Sequence, residues 1–265
     1  MMLAVWALAI TLVLAAIAAS WQIGRSQMVG AFDGYDIAFV GSSLFRYAVP
    51  NAPDGPTAKL FAPRKVLRVA ISSATELELL SLAQAATVAG VDTLYIEINP
   101  LIARFNSSTG GCGPAYYTRN AVKSIQRSAK NVLSGGNVLD EAVGDAPNHA
   151  GFVPIDVVIS RNYPLKYTSL CQPEAWRALA AQNKTRIILV AMPRAEAARN
   201  VLGPAGLARF QAEALALAAR LNLPLFTPDP ENNWPNAYFF DLGHVSHQGS
   251  DAFLAALSKW QGRAQ

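Results

Sequence analysis

Two serines at the end of a short apolar run are the first residues in this chain that could do chemistry. Residues 36–40 read DIAFV, and Gly41, Ser42 and Ser43 follow directly. Glycine and serine are common in turns, so a plain turn would explain them. A serine just beyond the carboxyl end of a buried strand is also well placed to act as a nucleophile. We take Ser43 as the candidate nucleophile and Ser42 as the alternative.

A serine nucleophile needs a general base, and the chain has three histidines. His244 follows Asp241 by three residues. At that spacing the carboxylate can turn back and accept a proton from Nδ1, which leaves Nε2 free to take the serine proton. His149 lies in a loop without such a partner nearby in sequence, and we assign it no role. The expected set is therefore Ser43, His244 and Asp241.

The same stretch allows a different chemistry, because His247 adds a second imidazole next to Asp241 and His244. One carboxylate and two imidazoles can bind a transition metal. That alternative gives Ser43 no role and supplies no fourth ligand. We therefore expect no metal and no other cofactor, and we place His247 at the start of the last helix or in the lining of a substrate pocket.

Acyl transfer also needs hydrogen-bond donors for the oxyanion that forms during the reaction. Three candidates follow predicted strands: the backbone N–H of Ser43, the side-chain amide of Asn99, and Ser73 in the turn after the second strand. Arg194 follows the fourth strand and is a candidate for binding an anionic sugar, although a solvated arginine is the simpler interpretation. These residues would meet at one edge of a parallel sheet.

The elements that must position these residues follow an alternating order. Strand-length apolar runs alternate with stretches of helical periodicity, which indicates βαβ units and a mainly parallel sheet. The predicted strands are 37–40, 66–71, 93–98, 186–191 and 223–226, and the clearest helices are 76–90, 207–221 and 248–260. The chain is therefore predicted to be a single α/β domain over residues 27–265.

A long segment, 101–185, interrupts this alternation and contains a predicted helix at 121–133. Connections in compact domains are usually short, and long ones often form lids or binding loops. Both cysteines of the chain, Cys112 and Cys171, fall in this segment. We interpret it as a substrate-facing insertion that a disulfide closes; two unrelated thiols are the alternative.

Residues 1–26 are predicted to be a membrane anchor. The first 23 residues carry no charged side chain, and about 20 apolar residues can span a bilayer as a helix. A cleaved signal peptide with a small-x-small site at 16–18 is the alternative, but no basic residue precedes Arg25. Arg25 alone would favour a cytoplasmic body. The cysteine pair favours an oxidising compartment, and we expect the domain to be periplasmic or extracellular.

The composition of the chain limits the classes of partner that it is expected to bind. A net charge of +4 and a pI near 9.1 fit acidic glycans or lipid headgroups, and no cluster of Lys and Arg indicates nucleic-acid binding. With 52% hydrophobic residues the chain can build a sizeable core.

At the candidate residues Ser43, Asn99, Asp241 and His244, the chain resembles the SGNH (GDSL-type) hydrolases. The stretch 41–44 (GSSL) is similar to the first block of the family, and Asp241-x-x-His244 with 245–249 (VSHQG) is similar to the last block. Asn99 stands where the asparagine of the third block belongs. The resemblance covers nearly all of the chain beyond the anchor except the insertion. It implies a flavodoxin-like, three-layer parallel sheet, with Ser43, Asp241 and His244 as the triad and Asn99 in the oxyanion hole.

The chain departs from the family pattern at several positions. Ser42 replaces the usual aspartate, Glu97 and Pro100 replace the glycine and aspartate around Asn99, and no clear glycine marks the second block. The GSS variant resembles the membrane-anchored branch that O-acetylates alginate and other exopolysaccharides beside a multi-spanning membrane acyltransferase. This implies acetyl transfer to or from an exported polysaccharide through an acyl-serine. A free-standing exported carbohydrate esterase and a non-catalytic glycan-binding protein are the alternatives.

Overall fold

The computed structural model describes residues 6, 11, 22, 24–104, 112–133, 139–146 and 165–263. Its centre is a five-stranded sheet in the order β2-β1-β3-β6-β7, and every neighbouring pair is parallel. The strands are β1 (Ile37–Gly41), β2 (Val66–Ala70), β3 (Thr93–Glu97), β4 (Ala103–Arg104), β5 (Lys166–Tyr167), β6 (Arg186–Val190) and β7 (Leu225–Phe226). Strands β4 and β5 form a separate antiparallel pair. The sheet has the 2-1-3-4-5 order of flavodoxin-like folds when its own strands are counted, so the predicted parallel α/β architecture is confirmed.

Helices cover both faces of this sheet. They are α1 (Ser43–Ala48), α2 (Pro56–Phe61), α3 (Glu76–Val88), α4 (Asn99–Ile102), α5 (Pro114–Leu133), α6 (Asp140–Val143), α7 (Pro173–Ala180), α8 (Glu196–Leu221) and α9 (His247–Gln261), with a 3₁₀ turn at Asn236–Tyr238. The helix predicted at 207–221 begins earlier, because α8 continues across a kink where Gly203 has φ 64° and Pro204 follows. The last strand is shorter than the predicted 223–226.

Alternate residues of each strand enter two separate apolar cores, as the twofold repeat of a β-strand requires. Ala38 and Val40 pack with α3, α7 and α8 on one face. Ile37 and Phe39 pack with α1, α2 and α9 on the other face. All five residues of β1 are buried, which explains why this strand reads as an uninterrupted apolar run. The nucleophile candidate therefore follows a strand that is enclosed on both faces.

A buried arginine fixes one part of the insertion to the sheet. Arg68 of β2 is fully buried, and its guanidinium donates to the carbonyl oxygens of Ala142 (3.0 Å) and Gly144 (3.1 Å) and to Asp145 Oδ1 (2.8 Å). Burial lowers the pKa of Arg68 to about 10, although the neighbouring Asp145 carboxylate opposes this. Residues 139–146 are thus held against the edge strand, next to the helix that begins at Ser43.

A buried carboxylate and a disulfide fix a second part of the insertion. Cys112 and Cys171 form a disulfide. Glu76, at the start of α3, accepts hydrogen bonds from the backbone N–H of Cys171 and Gln172 and from the indole N–H of Trp176. The predicted helix at 121–133 begins earlier, at Pro114. Whether the insertion faces the substrate stays a prediction, because 105–111, 134–138 and 147–164 lie outside the described residues.

The predicted anchor also lies largely outside the part of the chain that the structure describes. Only residues 6, 11, 22 and 24–26 of the first 26 are described. Within the described residues, no helix combines the length and the apolar character needed to cross a bilayer. The anchor therefore stays a prediction.

Close packing of the last helix sets the position of the loop that carries His244. A Cβ added to Gly249 of α9 would lie 1.9 Å from the carbonyl oxygen of Tyr238 and 2.8 Å from Val245 Cβ.

We expect Gly249→Ala to lower the free energy of unfolding by about 3 kcal/mol, because the overlap is with backbone that cannot move aside. Urea denaturation measures this. Gly262→Ala is the matched control, since its nearest neighbour would be 3.8 Å away; equal losses in both variants would contradict the prediction.

Candidate active site

The turn between β1 and α1 exposes Ser43. Strand β1 ends at Gly41, Ser42 is the N-cap of α1, and Ser43 is the first residue of that helix. The Ser42 side chain accepts a hydrogen bond from the backbone N–H of Leu44 at 3.2 Å. Residue 41 has to be glycine, because a Cβ there would lie 2.6 Å from Phe45 Cδ2 and 2.7 Å from Glu97 Oε2. The glycine lets the chain turn tightly above β3.

The loop before α9 holds His244 in a fixed orientation. Phe239 and Val245 form an isolated antiparallel bridge, which closes the loop at its base. Inside it, Asp241 Oδ1 accepts the backbone N–H of Gly243 at 2.9 Å and of His244 at 2.7 Å. This side-chain-to-backbone turn is one that aspartate commonly forms. One carboxylate oxygen thus shapes the loop, and the other is left for the imidazole.

Three side chains form one continuous hydrogen-bonded chain. His244 Nε2 lies 2.8 Å from Ser43 Oγ, and His244 Nδ1 lies 2.7 Å from Asp241 Oδ2. Ser43 and His244 are 201 residues apart in sequence. With the Nδ1 proton donated to Asp241, Nε2 is the free acceptor that a serine hydroxyl needs. The structure therefore brings together the three residues that the sequence singled out.

The Asp241 carboxylate is stabilised in its charged form. Burial by itself raises the pKa of Asp241. This effect is outweighed by hydrogen bonds from the His244 side chain and from the backbone N–H of Gly243 and His244, together with the charge of the histidine, so the pKa lies below its ordinary value. Asp241 is therefore ionised at neutral pH, as a carboxylate that must stabilise an imidazolium needs to be.

Two aromatic rings enclose the imidazole. The Phe240 ring stacks on that of His244 with centroids 5.4 Å apart and an interplanar angle of 12°, and the Tyr47 ring lies 4.9 Å away. Burial, together with the charge of Asp241, raises the pKa of Tyr47, so this phenol stays neutral. Neither ring was predicted from the sequence. The fixed imidazole plane keeps Nε2 directed at Ser43.

Glu97, at the end of β3, is a buried carboxylate beside the turn that carries Ser43. It is fully buried, and its oxygens accept hydrogen bonds from the Ser42 backbone N–H at 2.6 Å and from the Ser42 hydroxyl at 2.8 Å. Burial raises its pKa to about 7, although the bonds from Ser42 and the charges of His244 and Arg194 oppose this. In sequence it stood out only as a departure from the family pattern. The signal that could have identified Glu97 is an acidic residue inside an otherwise apolar strand.

The buried carboxylate should make stability depend on pH. In the folded state Glu97 binds its proton up to a higher pH than in the unfolded chain, so its contribution is present below about pH 4.5 and is lost as the pH rises through about 7. We expect the free energy of unfolding to fall by about 3 kcal/mol across this range from this group alone. Urea denaturation of the wild type and Glu97→Gln at several pH values measures the difference; parallel pH curves would contradict the prediction.

The remaining oxyanion candidates lie at the same sheet edge. Asn99 is only 5% exposed, and its Oδ1 has no hydrogen-bond partner within the described residues. It begins α4, where Pro100 takes an early helical position that suits its fixed φ. Ser73 is exposed and has φ 53° in the turn after β2, the strand that pairs with β1. Their role in an oxyanion hole stays a prediction.

The two candidate substrate-binding residues lie in different environments. Arg194 is 7% exposed, and its guanidinium lies over the Phe210 ring at 3.7 Å, so the solvated alternative is wrong. His247 is the exposed first residue of α9, which is one of the two positions predicted for it. A role in substrate binding stays a prediction for both.

The rival assignments at these loops fit the geometry less well. Both ring nitrogens of His244 are engaged by Ser43 and Asp241, which leaves none to bind a metal. Within the described residues, no group of three His, Cys, Asp or Glu side chains could hold a metal ion. The hydroxyl of Ser42 donates to Glu97, so Ser42 does not fit as the nucleophile. His149 lies outside the described residues.

Comparisons with known proteins leave the family open. No family model and no curated protein matches the chain. Similar solved structures include a protein provisionally assigned as a platelet activating factor from Streptococcus pneumonia, at 15% identity and a TM-score of 0.44 over 96% of this chain and 98% of that one. Another is LAE5, an alpha/beta hydrolase enzyme from the metagenome of Lake Arreo, Spain, at 12% identity and a TM-score of 0.44 over 88% and 97%. The function of this chain therefore has to be inferred from its own site.

Proposed function

We propose that this chain is a serine-dependent enzyme that transfers an acyl group, an acetyl group in the first instance, to or from hydroxyls of an exported polysaccharide. The observation that supports this is the hydrogen-bonded chain from Ser43 through His244 to Asp241, with distances of 2.8 and 2.7 Å. A nucleophile, a base and a group that orients the base are the parts that acyl transfer through an acyl-serine requires.

In the first half of the proposed reaction, Ser43 Oγ attacks the carbonyl carbon of the acyl donor. His244 Nε2 takes the serine proton, and Asp241 stabilises the imidazolium. The carbonyl π electrons move to oxygen, and the oxyanion is stabilised by the Ser43 N–H and the Asn99 amide. The first N–H groups of a helix have no partner within the helix, which suits this role. His244 then protonates the leaving alcohol as the acyl-serine forms.

In the second half, a hydroxyl attacks the acyl-serine and His244 again accepts the proton. The attacking hydroxyl belongs to a sugar in a transferase and to water in an esterase. Two features support an exported polysaccharide as the partner: the apolar segment within residues 1–26 and the disulfide between Cys112 and Cys171, a bond that persists mainly in oxidising compartments. We propose that the domain is tethered outside the cytoplasm, beside a multi-spanning membrane acyltransferase that supplies the acyl group.

Incubating the full chain with an activated acetyl ester tests the proposal. We expect mass spectrometry to find an acetyl group on the Ser43 peptide of a rapidly quenched sample. Adding acetyl-free oligosaccharides should increase the rate at which this species disappears and should yield acetylated sugar. Release of acetate alone would instead identify an esterase. No acetyl-Ser43 together with retained oligosaccharide binding would leave a glycan-binding protein and would overturn the proposal.

A further inference from the structure

The Glu97 carboxylate connects β3 to the turn that carries the nucleophile. Each of its oxygens accepts one donor from the same residue: Oε2 takes the Ser42 backbone N–H and Oε1 takes the Ser42 hydroxyl. Because that hydroxyl proton is directed at Glu97, the lone pairs of Ser42 Oγ are available to cap the backbone N–H of Leu44. The residues on both sides of Ser43 are therefore held, directly or through Ser42, by one carboxylate.

The charge state of Glu97 decides whether this arrangement is complete. An ionised carboxylate accepts both donors, whereas a protonated one has to turn one oxygen into a donor. Ser42 Oγ already accepts from Leu44. If it also accepted from protonated Glu97, its own proton would lose the acceptor it now has in a buried site. Ionised Glu97 thus fits the observed geometry better than neutral Glu97 does.

We propose that Glu97 is a positioning residue for the nucleophile: its ionised carboxylate holds Ser42 and so keeps Ser43 Oγ within hydrogen-bonding distance of His244. This inference rests on the proposed function. Glu97 acts through Ser42 and the start of α1, without touching the substrate. The same carboxylate explains why Gly41 is required, since a side chain there would collide with Glu97 Oε2.

The groups that face Glu97 define the expected pH dependence. They are Ser42 from the start of α1, His244 from the loop before α9, and Arg194 from the segment after β6. Burial outweighs the two positive neighbours and raises the pKa of Glu97 to about 7. The turn should therefore lose order as the pH falls below about 7. Stability should rise over the same range, because the buried charge is removed. Reactivity and stability thus move in opposite directions with pH.

The test measures the rate at which a fluorophosphonate probe labels Ser43 in the full chain, with the labelled residue identified by mass spectrometry. We expect Glu97→Gln and Ser42→Ala each to slow labelling about 100-fold, since a misplacement of about 1 Å can cost that much. The double variant should be no slower than the slower single variant, because both substitutions break one network. For an activated acetyl ester, kcat should fall while KM changes little.

The pH profile separates positioning from a merely structural role. In the wild type, the turn that carries Ser43 depends on the ionised Glu97 carboxylate, so the labelling rate should fall more steeply towards low pH than in Glu97→Gln. Glu76→Gln is the matched control. It alters a buried carboxylate whose own hydrogen bonds come from Cys171, Gln172 and Trp176. We expect it to lower stability and to leave the labelling rate of the folded protein and its pH profile unchanged.

The outcomes distinguish this inference from the proposed function. Absence of labelling at Ser43 in the wild type would overturn both. Labelling of the wild type with an unchanged rate and pH profile in Glu97→Gln would overturn the positioning role alone. If Glu97→Gln does not fold, Ser42→Ala decides: slow labelling with a flattened pH profile supports the role, and wild-type labelling overturns it.

Discussion

Ser43→Ala is expected to lower kcat/KM for an acetyl ester by at least about 10⁴-fold, because removing a serine nucleophile abolishes the acyl-enzyme route. Alanine keeps the backbone N–H at the start of α1 and leaves β1 and the core unchanged, so the fold should persist. Substrate binding should also persist, and the loss should lie in kcat. Steady-state kinetics, with circular dichroism and urea denaturation to verify folding, measure this effect.

Ser258→Ala is the matched control, because it removes the same hydroxyl from an exposed position late in α9. It should stay close to wild type. Ser42→Ala separates the two adjacent serines: it should still form acetyl-Ser43, although more slowly, because it retains the hydroxyl that faces His244. Turnover in Ser43→Ala near the wild-type level would contradict Ser43 as the nucleophile.

Asp241→Asn is expected to reduce kcat by about 10⁴-fold, the cost of a base held in the wrong tautomer. The asparagine amide can still accept backbone N–H bonds from Gly243 and His244 through its oxygen, so the loop should keep its shape. Its NH₂ would then face Nδ1 and favour a proton on Nε2, which blocks acceptance of the serine proton. His244→Ala should lose a similar amount. Steady-state kinetics with an acetyl ester measure both losses.

Asp251→Asn in α9 is the matched control, because it makes the same exchange at an exposed position. It should leave kcat unchanged. Wild-type turnover in His244→Ala would contradict the triad. A loss that occurs only in His247→Ala and is restored by an added divalent metal would instead support a metal site at Asp241, His244 and His247.

The alternation of strands and helices could be predicted because each βαβ unit has its own local pattern of apolar residues. Strands buried on both faces read as apolar runs, and β1, β2, β3 and β6 lie within about a residue of their predicted ends. The exceptions have physical causes. Strand β7 makes only two bridges at the sheet edge, so only the last two residues of the predicted 223–226 belong to it. The start of α8 was not predicted, because Gly203 and Pro204 disrupt helical periodicity.

Local motifs also indicated the residues that meet at the site. Asp241 and His244 lie three residues apart in one loop, so their contact follows from spacing alone. That Ser43 would face them followed from the rule that parallel strands share a carboxyl edge. The rule predicts proximity but no distance. The 2.8 Å separation from Ser43 Oγ to His244 Nε2 depends on the packing of α9 against the loop.

By itself, the sequence determined the parallel α/β architecture and the candidate residues Ser43, Asp241 and His244, because strand periodicity, the Asp241–His244 spacing and the shared carboxyl edge of parallel strands are readable locally. It left open whether Cys112 and Cys171 pair, and the structure shows that they do. Only the tertiary structure decided what surrounds the candidate residues. Glu97 meets Ser42 across 55 residues, and Phe240 and Tyr47 enclose the imidazole. Arg194 is buried against Phe210. Such contacts join elements distant in sequence, and burial there sets both geometry and charge state, which no local pattern encodes.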